Sequence, residues 1–223
     1  MARPQRHGFA ILAMGNMTNA RELSIAARAA ELANLLGRCE VTDKDLSSLP
    51  LEDGIKKLCG QLSHLRNEAR SLYLIGNGGS AGVASHATTD FFNVAKIRAS
   101  TLHESSLLTC MANDFGYENA YARITRQMVK PGDIVIAISS SGKSMNIRNA
   151  ATEATNAGGY VVTLSGFAHD NPLRFLGDLN IWLDSSDYGQ VEVGHQFLLH
   201  NISDRFGAGL GVEHLCQTAR SSA

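Results

Sequence analysis

Two segments rich in glycine and serine have the composition of anion-binding loops. The first, GNGGSA at 76–81, follows the apolar run SLYLI at 71–75 and precedes a helical pattern. The second, SSSGKSMN at 139–146, follows the apolar run DIVIAI in the same way. A Gly-rich turn that opens a helix points several backbone N–H groups at one spot, and serine hydroxyls add neutral donors. Two such loops in one sheet predict a site for a single phosphate group.

Each loop also has another interpretation. GNGGSA could be only a tight strand-to-helix turn with Ser80 as the N-cap. AISSSGKS, from Ala137, is one residue away from the nucleotide-binding pattern GxxxxGK[ST], and Asp184 at the end of NIWLD could serve as its magnesium-binding acid. Ala137, however, stands where that pattern needs a glycine to curl around a polyphosphate. We therefore favour a loop for one phosphate over a nucleotide triphosphatase.

The size and charge of the chain limit the kinds of partner. A chain of 223 residues can bury one α/β core, with or without a helical appendage. Its 20 basic and 21 acidic side chains create no net field that favours nucleic acid or a membrane surface. The predicted partner is therefore a small molecule.

The cysteines and the N-terminal residues bear on localisation. An apolar stretch at 9–14 follows two arginines but is too short for a signal-peptide core or a membrane span. We predict a flexible leader at 1–17, with Met14 or Met17 as alternative starts, and a cytoplasmic protein. The scattered cysteines, which form no CxxC pair, suit reduced thiols in that compartment. They are Cys39, Cys59, Cys110 and Cys216.

Apolar runs alternate with helical patterns along most of the chain. An amphipathic helix is predicted over 18–39, capped by Thr18 or Asn19, and a second over 51–70, with EVTDKDLSSLP as a polar linker between them. Beyond residue 70, near-continuous apolar runs suit strands that are covered on both faces and joined by crossover helices. The predicted strands are 71–75, 105–110, 133–139, 160–165 and 178–184.

The predicted fold class is α/β, a doubly wound parallel five-stranded sheet of the flavodoxin-like type with N-terminal helices. A last helix is predicted from Glu192 to Phe206. Ligands of such sheets bind at the carboxyl ends of the strands, so the loops that follow the strands should form the site. Outside the leader, the predicted segments are an N-terminal helical segment for oligomerisation at 18–70, the main domain at 71–210 and a tail at 211–223.

Five motifs resemble, in order and spacing, those of the sugar isomerase (SIS) domain family, and within it the phosphoheptose isomerases. The resemblance covers most of the chain, from about residue 18 to 206. It implies a homotetramer with the N-terminal helices packed between subunits and the active sites at interfaces. It also implies isomerisation of sedoheptulose 7-phosphate to D-glycero-D-manno-heptose 7-phosphate through an enediolate, without a nucleotide. The motifs are GNGGSA at 76–81, SHATTD at 85–90, ANDFGYENAY at 112–121, ISSSGKS at 138–144 and EVGHQFLLH at 192–200.

The resemblance implies two groups of site residues. The first group holds the sugar phosphate: Asn77, Gly78, Gly79, Ser80, Asp114, Ser139, Ser140, Ser141 and Ser144. The second group binds zinc in some members and also handles the proton: His86, Asp90, Glu192 and His200. All four of these are predicted metal ligands, and Asp90, Glu192 and His200 are the predicted catalytic residues.

The spacing of the second group can be tested against helix geometry. His86 and Asp90, four residues apart, share a helix face and can bind a divalent ion or act as base and orienter, although a surface hydrogen bond is the alternative. Glu192 and His200 are separated by roughly 12 Å along a helix, so they meet only by leaning together or if the helix begins after Glu192. His195 competes for this role, or else packs the helix against the sheet. Nitrogen and oxygen donors of this kind suit zinc or a similar first-row ion.

The chain departs from the family pattern in several places. Asp90 stands where Glu is normal, Glu192 where Gln is usual, and Lys143 where Asn is usual, and the Arg that commonly follows the helix acid is missing. An extra carboxylate would strengthen the hold on a dication and weaken the stabilisation of a developing enediolate. Asp90 or Glu192 could be the base, with His200 as the acid at oxygen.

Related proteins of this fold bind sugar phosphates without converting them, such as those that associate with the bacterial replication initiator. These lack the helix acid, so Asp90 favours an enzyme. Sugar-phosphate-sensing regulators usually carry a DNA-binding domain, which this sequence does not contain. The prediction is therefore an intramolecular oxidoreductase, with a non-catalytic phosphosugar-binding protein as the alternative.

Overall fold

The computed structural model describes residues 23–209, and these form seven α-helices, one short 3₁₀ helix and a single sheet. In chain order the elements are α1 (Ile25–Gly37), β1 (Glu40–Asp43), β2 (Ser48–Leu49), α2 (Leu51–Asn67), β3 (Ser71–Ile75), α3 (Gly79–Asn93), β4 (Arg98–Thr101), α4 (Ser105–Phe115), α5 (Tyr117–Met128), β5 (Ile134–Ser139), α6 (Met145–Asn156), β6 (Tyr160–Gly166), the 3₁₀ helix (Pro172–Phe175), β7 (Leu179–Leu183) and α7 (Tyr188–Gly207).

The predicted α/β fold with a doubly wound parallel sheet is confirmed, but the sheet is larger than predicted. Its strand order is β2-β1-β7-β6-β5-β3-β4, and the strands from β7 to β4 are parallel. The antiparallel pair β1 and β2 extends the sheet beyond β7 to seven strands. The prediction of a linker at EVTDKDLSSLP was therefore wrong. Val41, which is fully buried opposite Ile181 of β7, joins this polar hairpin to the core.

The predicted strand at 105–110 was also wrong, because this segment is the start of helix α4. The carboxylate of Glu104 accepts hydrogen bonds from the backbone N–H groups of Ser106 and Leu107, which caps the helix. The fifth parallel strand is instead β4, a short polar segment that pairs only with β3.

Two apolar clusters cover the two faces of the sheet. One joins helices α2, α3 and α7 to the sheet and includes the fully buried Leu58, Phe91 and Ile202. The other joins α5 and α6 and includes Tyr121 and Ile147. Buried on both faces, the central strands need the near-continuous apolar runs seen in the sequence. Helices α3 and α7 consequently lie side by side on the same face.

The N-terminal helix begins later than predicted. Its first residue is Ile25, and the hydroxyl of Ser24 accepts a hydrogen bond from the N–H of Ala27. The predicted caps Thr18 and Asn19, the leader at 1–17 and the tail at 211–223 lie outside the described residues. Between residues 23 and 209, no helix is both long enough and apolar enough to cross a membrane.

Candidate functional site

Strands β3 and β5 are neighbours, and the crossovers that leave them run in opposite directions along the sheet. The chain passes from β3 through α3 to β4 on one side, and from β5 through α6 to β6 on the other. A doubly wound sheet opens a crevice at this switch point, at the carboxyl ends of the two strands. The two glycine- and serine-rich loops follow these strands, so the fold brings them together.

The first loop turns sharply before α3. Gly78 is the residue before the helix and has φ +54° and ψ −122°, a conformation that is open essentially to glycine alone. Ser80 is the second residue of the helix, so the alternative in which it serves as N-cap does not hold. The first backbone N–H groups of α3 consequently face the crevice without a capping side chain.

The second loop is stabilised by a hydrogen bond within the loop and by the side chain of Asn171. The hydroxyl of Ser139 accepts from the N–H of Gly142, which has φ +64°. The amide of Asn171 donates to the carbonyl oxygens of Ser140 and Gly166. The loop is therefore fixed in shape without any ligand.

The resemblance of this loop to a nucleotide-binding loop does not extend to its structure. Ala137 lies inside β5 and is fully buried, so the loop begins only at Ser139. Lys143 is exposed and does not line the cavity between the loops. The loop lacks both the length and the inward lysine that a triphosphate requires.

A pair of amide side chains ties the two loops to each other. Asn77 and Asn146 exchange hydrogen bonds of 2.9 and 3.0 Å between their amide groups. The hydroxyl of Tyr117 donates to the same oxygen of Asn77 at 2.9 Å, and that of Tyr121 donates to the carbonyl of Gly76 at 3.0 Å. These bonds fix the distance between the loops, which is what a site for one small anion requires.

The loops enclose a cavity of about 240 Å³. The hydroxyl of Ser140 is buried and has no hydrogen-bond partner among the described residues, so it is available to a ligand. None of the residues that line the cavity is a lysine or arginine, which leaves recognition to hydroxyl and backbone donors. The cavity is lined by Asn77, Gly78, Gly79, Ser80, Ile138, Ser139, Ser140, Ser141, Ser144, Tyr188 and Glu192.

All the residues predicted to bind phosphate line this cavity except Asp114. That carboxylate lies on α4, where it accepts a hydrogen bond from the side-chain amide of Asn113 and contacts the thiol of Cys110. Sequence reasoning missed two residues here. Tyr188 lines the cavity one helical turn before Glu192, and Asn146, the second residue of α6, bonds to Asn77. The spacing of Tyr188 from Glu192, and the place of Asn146 at the end of SSSGKSMN, were signals that were left unused.

His86, Asp90 and His200 form a cluster between α3 and α7. The Nε2 atoms of the two imidazoles are 2.8 Å apart. Oδ2 of Asp90 lies 3.5 Å from His86 Nε2 and 3.2 Å from His200 Nδ1. The Asp90 side chain is only 18% exposed, and its Oδ2 has no hydrogen bond that meets normal geometry within the described residues. The predicted His/carboxylate pair on α3 and the predicted histidine of α7 do come together.

The cluster fits a divalent ion. Ligand atoms around a tetrahedral zinc, with bonds of about 2.0–2.2 Å, lie about 3.4 Å from each other. One ligand atom from each of His86, Asp90 and His200 lies within 4.8 Å of the others. A carboxylate oxygen buried without a hydrogen bond is costly unless a positive charge faces it. The donor set, with two imidazoles and one carboxylate, matches the preference of zinc.

Glu192, the predicted fourth ligand, does not belong to the cluster. Its carboxylate lies against Gly79 at the start of α3, where a Cβ added to Gly79 would be 2.2 Å from Oε1. The reason is the helical spacing, since α7 runs continuously from Tyr188 and separates Glu192 and His200 by about 12 Å.

His195, which the sequence left as a competitor, is a core residue. It is fully buried, and its Nε2–H donates to the carbonyl of Ser165 on β6 at 3.1 Å. Burial lowers the pKa of His195 to about 4, against a smaller opposing effect of the Ser165 hydrogen bond. The alternative of a histidine that packs α7 against the sheet is therefore correct.

The fold and the two-loop cavity define the class of protein. A family model described as SIS domain matches residues 45–166. The chain belongs to the SIS domain family. Within this family it is similar to the phosphoheptose isomerase of Mycobacterium tuberculosis (strain ATCC 25177 / H37Ra), with 35% identity over 139 residues that span 60% of this chain and 70% of the relative.

Solved structures share the fold. A phosphoheptose isomerase from Neisseria gonorrhoeae superposes with a TM-score of 0.69 and 22% identity, covering 82% of this chain and 97% of its own. The Vibrio vulnificus NanR protein, solved with ManNAc-6P, has a TM-score of 0.62 and 16% identity, covering 88% of this chain and 67% of its own. The resemblance drawn from the motifs is confirmed, as is the predicted class of enzyme, an isomerase.

Proposed function

We propose that this protein is an aldose–ketose isomerase that converts sedoheptulose 7-phosphate to D-glycero-D-manno-heptose 7-phosphate through an enediolate. The observation that carries the proposal is the pairing of two sites on one helix. The N-terminus of α3 opens into the serine-lined cavity, and two turns later the same helix carries His86 and Asp90 beside His200.

The cavity suits a phosphate monoester. Ser80, Ser139 and Ser140 are buried, and their hydroxyls with the N–H groups that open α3 are neutral donors around a small volume. A phosphate held there lies away from the reacting carbons, so its binding energy orients the sugar.

The distance from the cavity to the cluster supports a long sugar. From Ser80 to His86 helix α3 rises about 9 Å. An extended chain advances about 1.2 Å per bond, so C2 of an open-chain heptulose 7-phosphate is about 8 Å from phosphorus, and C2 of a pentulose 5-phosphate about 6 Å. Side chains on a helix lean toward its N-terminus, which brings the His86 ring slightly closer to the cavity. The seven-carbon sugar therefore matches this rise better than the five-carbon sugar.

The cluster handles the proton. The carboxylate of Asp90 takes the proton from the carbon beside the carbonyl and returns it to the neighbouring carbon, while His200 exchanges a proton with the sugar oxygens. Nδ1 of His200 lies 3.2 Å from Oδ2 of Asp90, so the proposed acid and base are adjacent. His86, Asp90 and His200 would hold a zinc ion, which when bound polarises the sugar carbonyl as a Lewis acid.

We also propose a homotetramer with its active sites at subunit interfaces. Val193 and Phe197 lie on the same face of α7 as His200, and each is 53% exposed. Apolar side chains beside an exposed cluster favour a cover from another subunit. The cysteines Cys39, Cys59 and Cys110 are free thiols, which supports a cytoplasmic protein. Light scattering on the purified protein measures the number of subunits.

The experiment that tests the function is a panel of ketose phosphates with five, six and seven carbons, assayed for aldose formation with and without added zinc. We expect the highest kcat/KM for the seven-carbon substrate. Ser140→Ala should raise KM by about tenfold, since it removes one buried donor to the phosphate. Asp90→Asn should lower kcat by at least about 100-fold without loss of folding. Asp204→Asn, an exposed change on α7, is the matched control.

Saturable binding of the same sugars with no turnover on any of them would instead identify a phosphosugar-binding protein. Turnover by Asp90→Asn at a normal rate would refute the assignment of Asp90 as the base. It would not affect the proposed role of the cavity in binding phosphate.

A further inference from the structure

We infer that the carboxylate of Glu192 occupies the phosphate-binding end of the cavity in the free protein and acts as an internal competitor of the substrate phosphate. This inference rests on the proposed role of the cavity as the phosphate site. It adds a contact, made by a residue on a different element, that the substrate has to displace.

The position of the carboxylate is the first observation. Both oxygens of Glu192 approach the space beside Gly79, at 2.2 and 2.3 Å from an added Cβ. Gly79 is the first residue of α3, so the carboxylate stands at the turn of backbone that carries the free N–H groups. Glu192 also lines the same cavity as the serines of both loops.

The surroundings of the carboxylate are the second observation. Within residues 23–209 it forms neither a salt bridge with a lysine, arginine or histidine nor a hydrogen bond of normal geometry. The residues around it are glycines, serines, Asn77, Ile138 and Tyr188, none of which carries positive charge. The buried hydroxyl of Ser140 in the same cavity has no partner either. The Glu192 carboxylate therefore places a negative charge in the cavity that no cationic side chain or hydrogen bond within the described residues offsets, apart from the dipole of α3.

A carboxylate and a phosphate cannot share this space, because both are anionic and the carboxylate already fills the space beside Gly79. The side chain of Glu192 has to turn away when phosphate enters. Helices α3 and α7 run side by side in the same direction, with Gly79 beside Glu192 and His86 beside His200.

The charge of the side chain at position 192 affects how strongly the cavity binds an anion. The motifs that this chain resembles usually have Gln at this position, and a neutral amide would not repel a phosphate as the Glu192 carboxylate does. The contact thus lowers the affinity of the free site for any oxyanion and lets only a ligand that displaces Glu192 occupy it.

Sulfate binding to the metal-free protein tests this inference without any chemistry on a sugar. Isothermal titration at fixed pH and ionic strength, in the presence of a chelator, should give at least tenfold tighter binding of sulfate by Glu192→Gln than by the original protein. Glu192→Asp keeps the charge but withdraws it by one methylene from Gly79, so it should fall between the two. Asp204→Asn removes an exposed charge from the same helix and should match the original protein.

Three results would overturn the inference. The first is a sulfate affinity of Glu192→Gln within twofold of that of the original protein, including no binding by either. The second is an equal gain in affinity in Asp204→Asn, which would indicate only a change in net charge. The third is identical affinities of Glu192→Asp and the original protein, which would indicate that contact with Gly79 has no effect. Failure of the isomerase assay with the expected sulfate results would instead remove only the proposed reaction.

Discussion

His195 should make the stability of this protein depend on pH, and the size of the effect follows from its burial. Burial lowers the pKa of His195 to about 4, whereas an unfolded histidine titrates near 6.5. The unfolded chain therefore binds a proton more readily than the folded one between these values. The stability that the neutral imidazole contributes is fully present above pH 6.5 and is lost as the pH falls toward 4.

The magnitude can be worked out from these two pKa values. Between about pH 7.5 and pH 5 the loss amounts to about 2 kcal/mol. We expect urea unfolding followed by circular dichroism, at one protein concentration and with a chelator present, to show this loss within the total change. The variant His195→Gln keeps an amide that can donate to Ser165 but has no titrating group. Its stability should therefore fall by about 2 kcal/mol less over the same interval.

The comparison between the two proteins isolates His195, because every other ionisable group is the same in both. A change in stability with pH that is the same in the variant and in the original protein would refute the reasoning. It would mean that the imidazole of His195 is protonated in the folded state at pH 5, and hence that it is accessible to water.

Three further predictions concern the loops and the cluster. Asn77→Ala and Asn146→Ala should show a coupling of about 1–2 kcal/mol in a double-mutant cycle of unfolding free energies, and strict additivity would mean that the amide pair does not join the loops. Gly142→Ala should cost at least about 2 kcal/mol in urea unfolding, because φ is +64° and an added Cβ would overlap the Asn171 amide; a neutral change would contradict this loop geometry. Asp90→Asn should weaken zinc binding by more than about tenfold in competition titrations, whereas unchanged affinity would place the ion elsewhere.

The strands and loops around the cavity could be predicted from the sequence because they depend on local composition. Strands β3, β5, β6 and β7 are buried on both faces and appear as short apolar runs, and the loops that follow β3 and β5 are rich in glycine and serine. Once two such loops follow neighbouring parallel strands, the topology of a doubly wound sheet brings them to one crevice. The cavity residues were therefore predictable as a group.

The elements that were missed depend on distant partners. Strand β4 is short and polar, and only its pairing with β3 makes it a strand, whereas the apolar run at 105–110 covers one side of a helix that Glu104 caps. Strands β1 and β2 likewise have no apolar pattern of their own. They pair with each other, and β1 joins them to β7, which is far away in the sequence. Local composition could not reveal these pairings.

In the His86, Asp90 and His200 cluster, the part on α3 was predictable from the sequence and the part on α7 was not. His86 and Asp90 share a helix face by spacing alone, so their proximity was predictable. The approach of His200 depends on how α3 and α7 pack, and the direction of the Glu192 side chain depends on the space beside Gly79. The sequence left both Glu192 and His195 open for this reason.

The central claim is that the protein moves a proton on a phosphorylated sugar rather than merely holding it. Proton NMR of sedoheptulose 7-phosphate in deuterated water, with catalytic amounts of the protein, measures this directly. We predict that a hydrogen on the carbon beside the carbonyl is replaced by deuterium as aldose appears, and that Asp90→Asn prevents the exchange. Stabilisation of the fold by the sugar phosphate with no deuterium incorporated at any carbon would contradict the account.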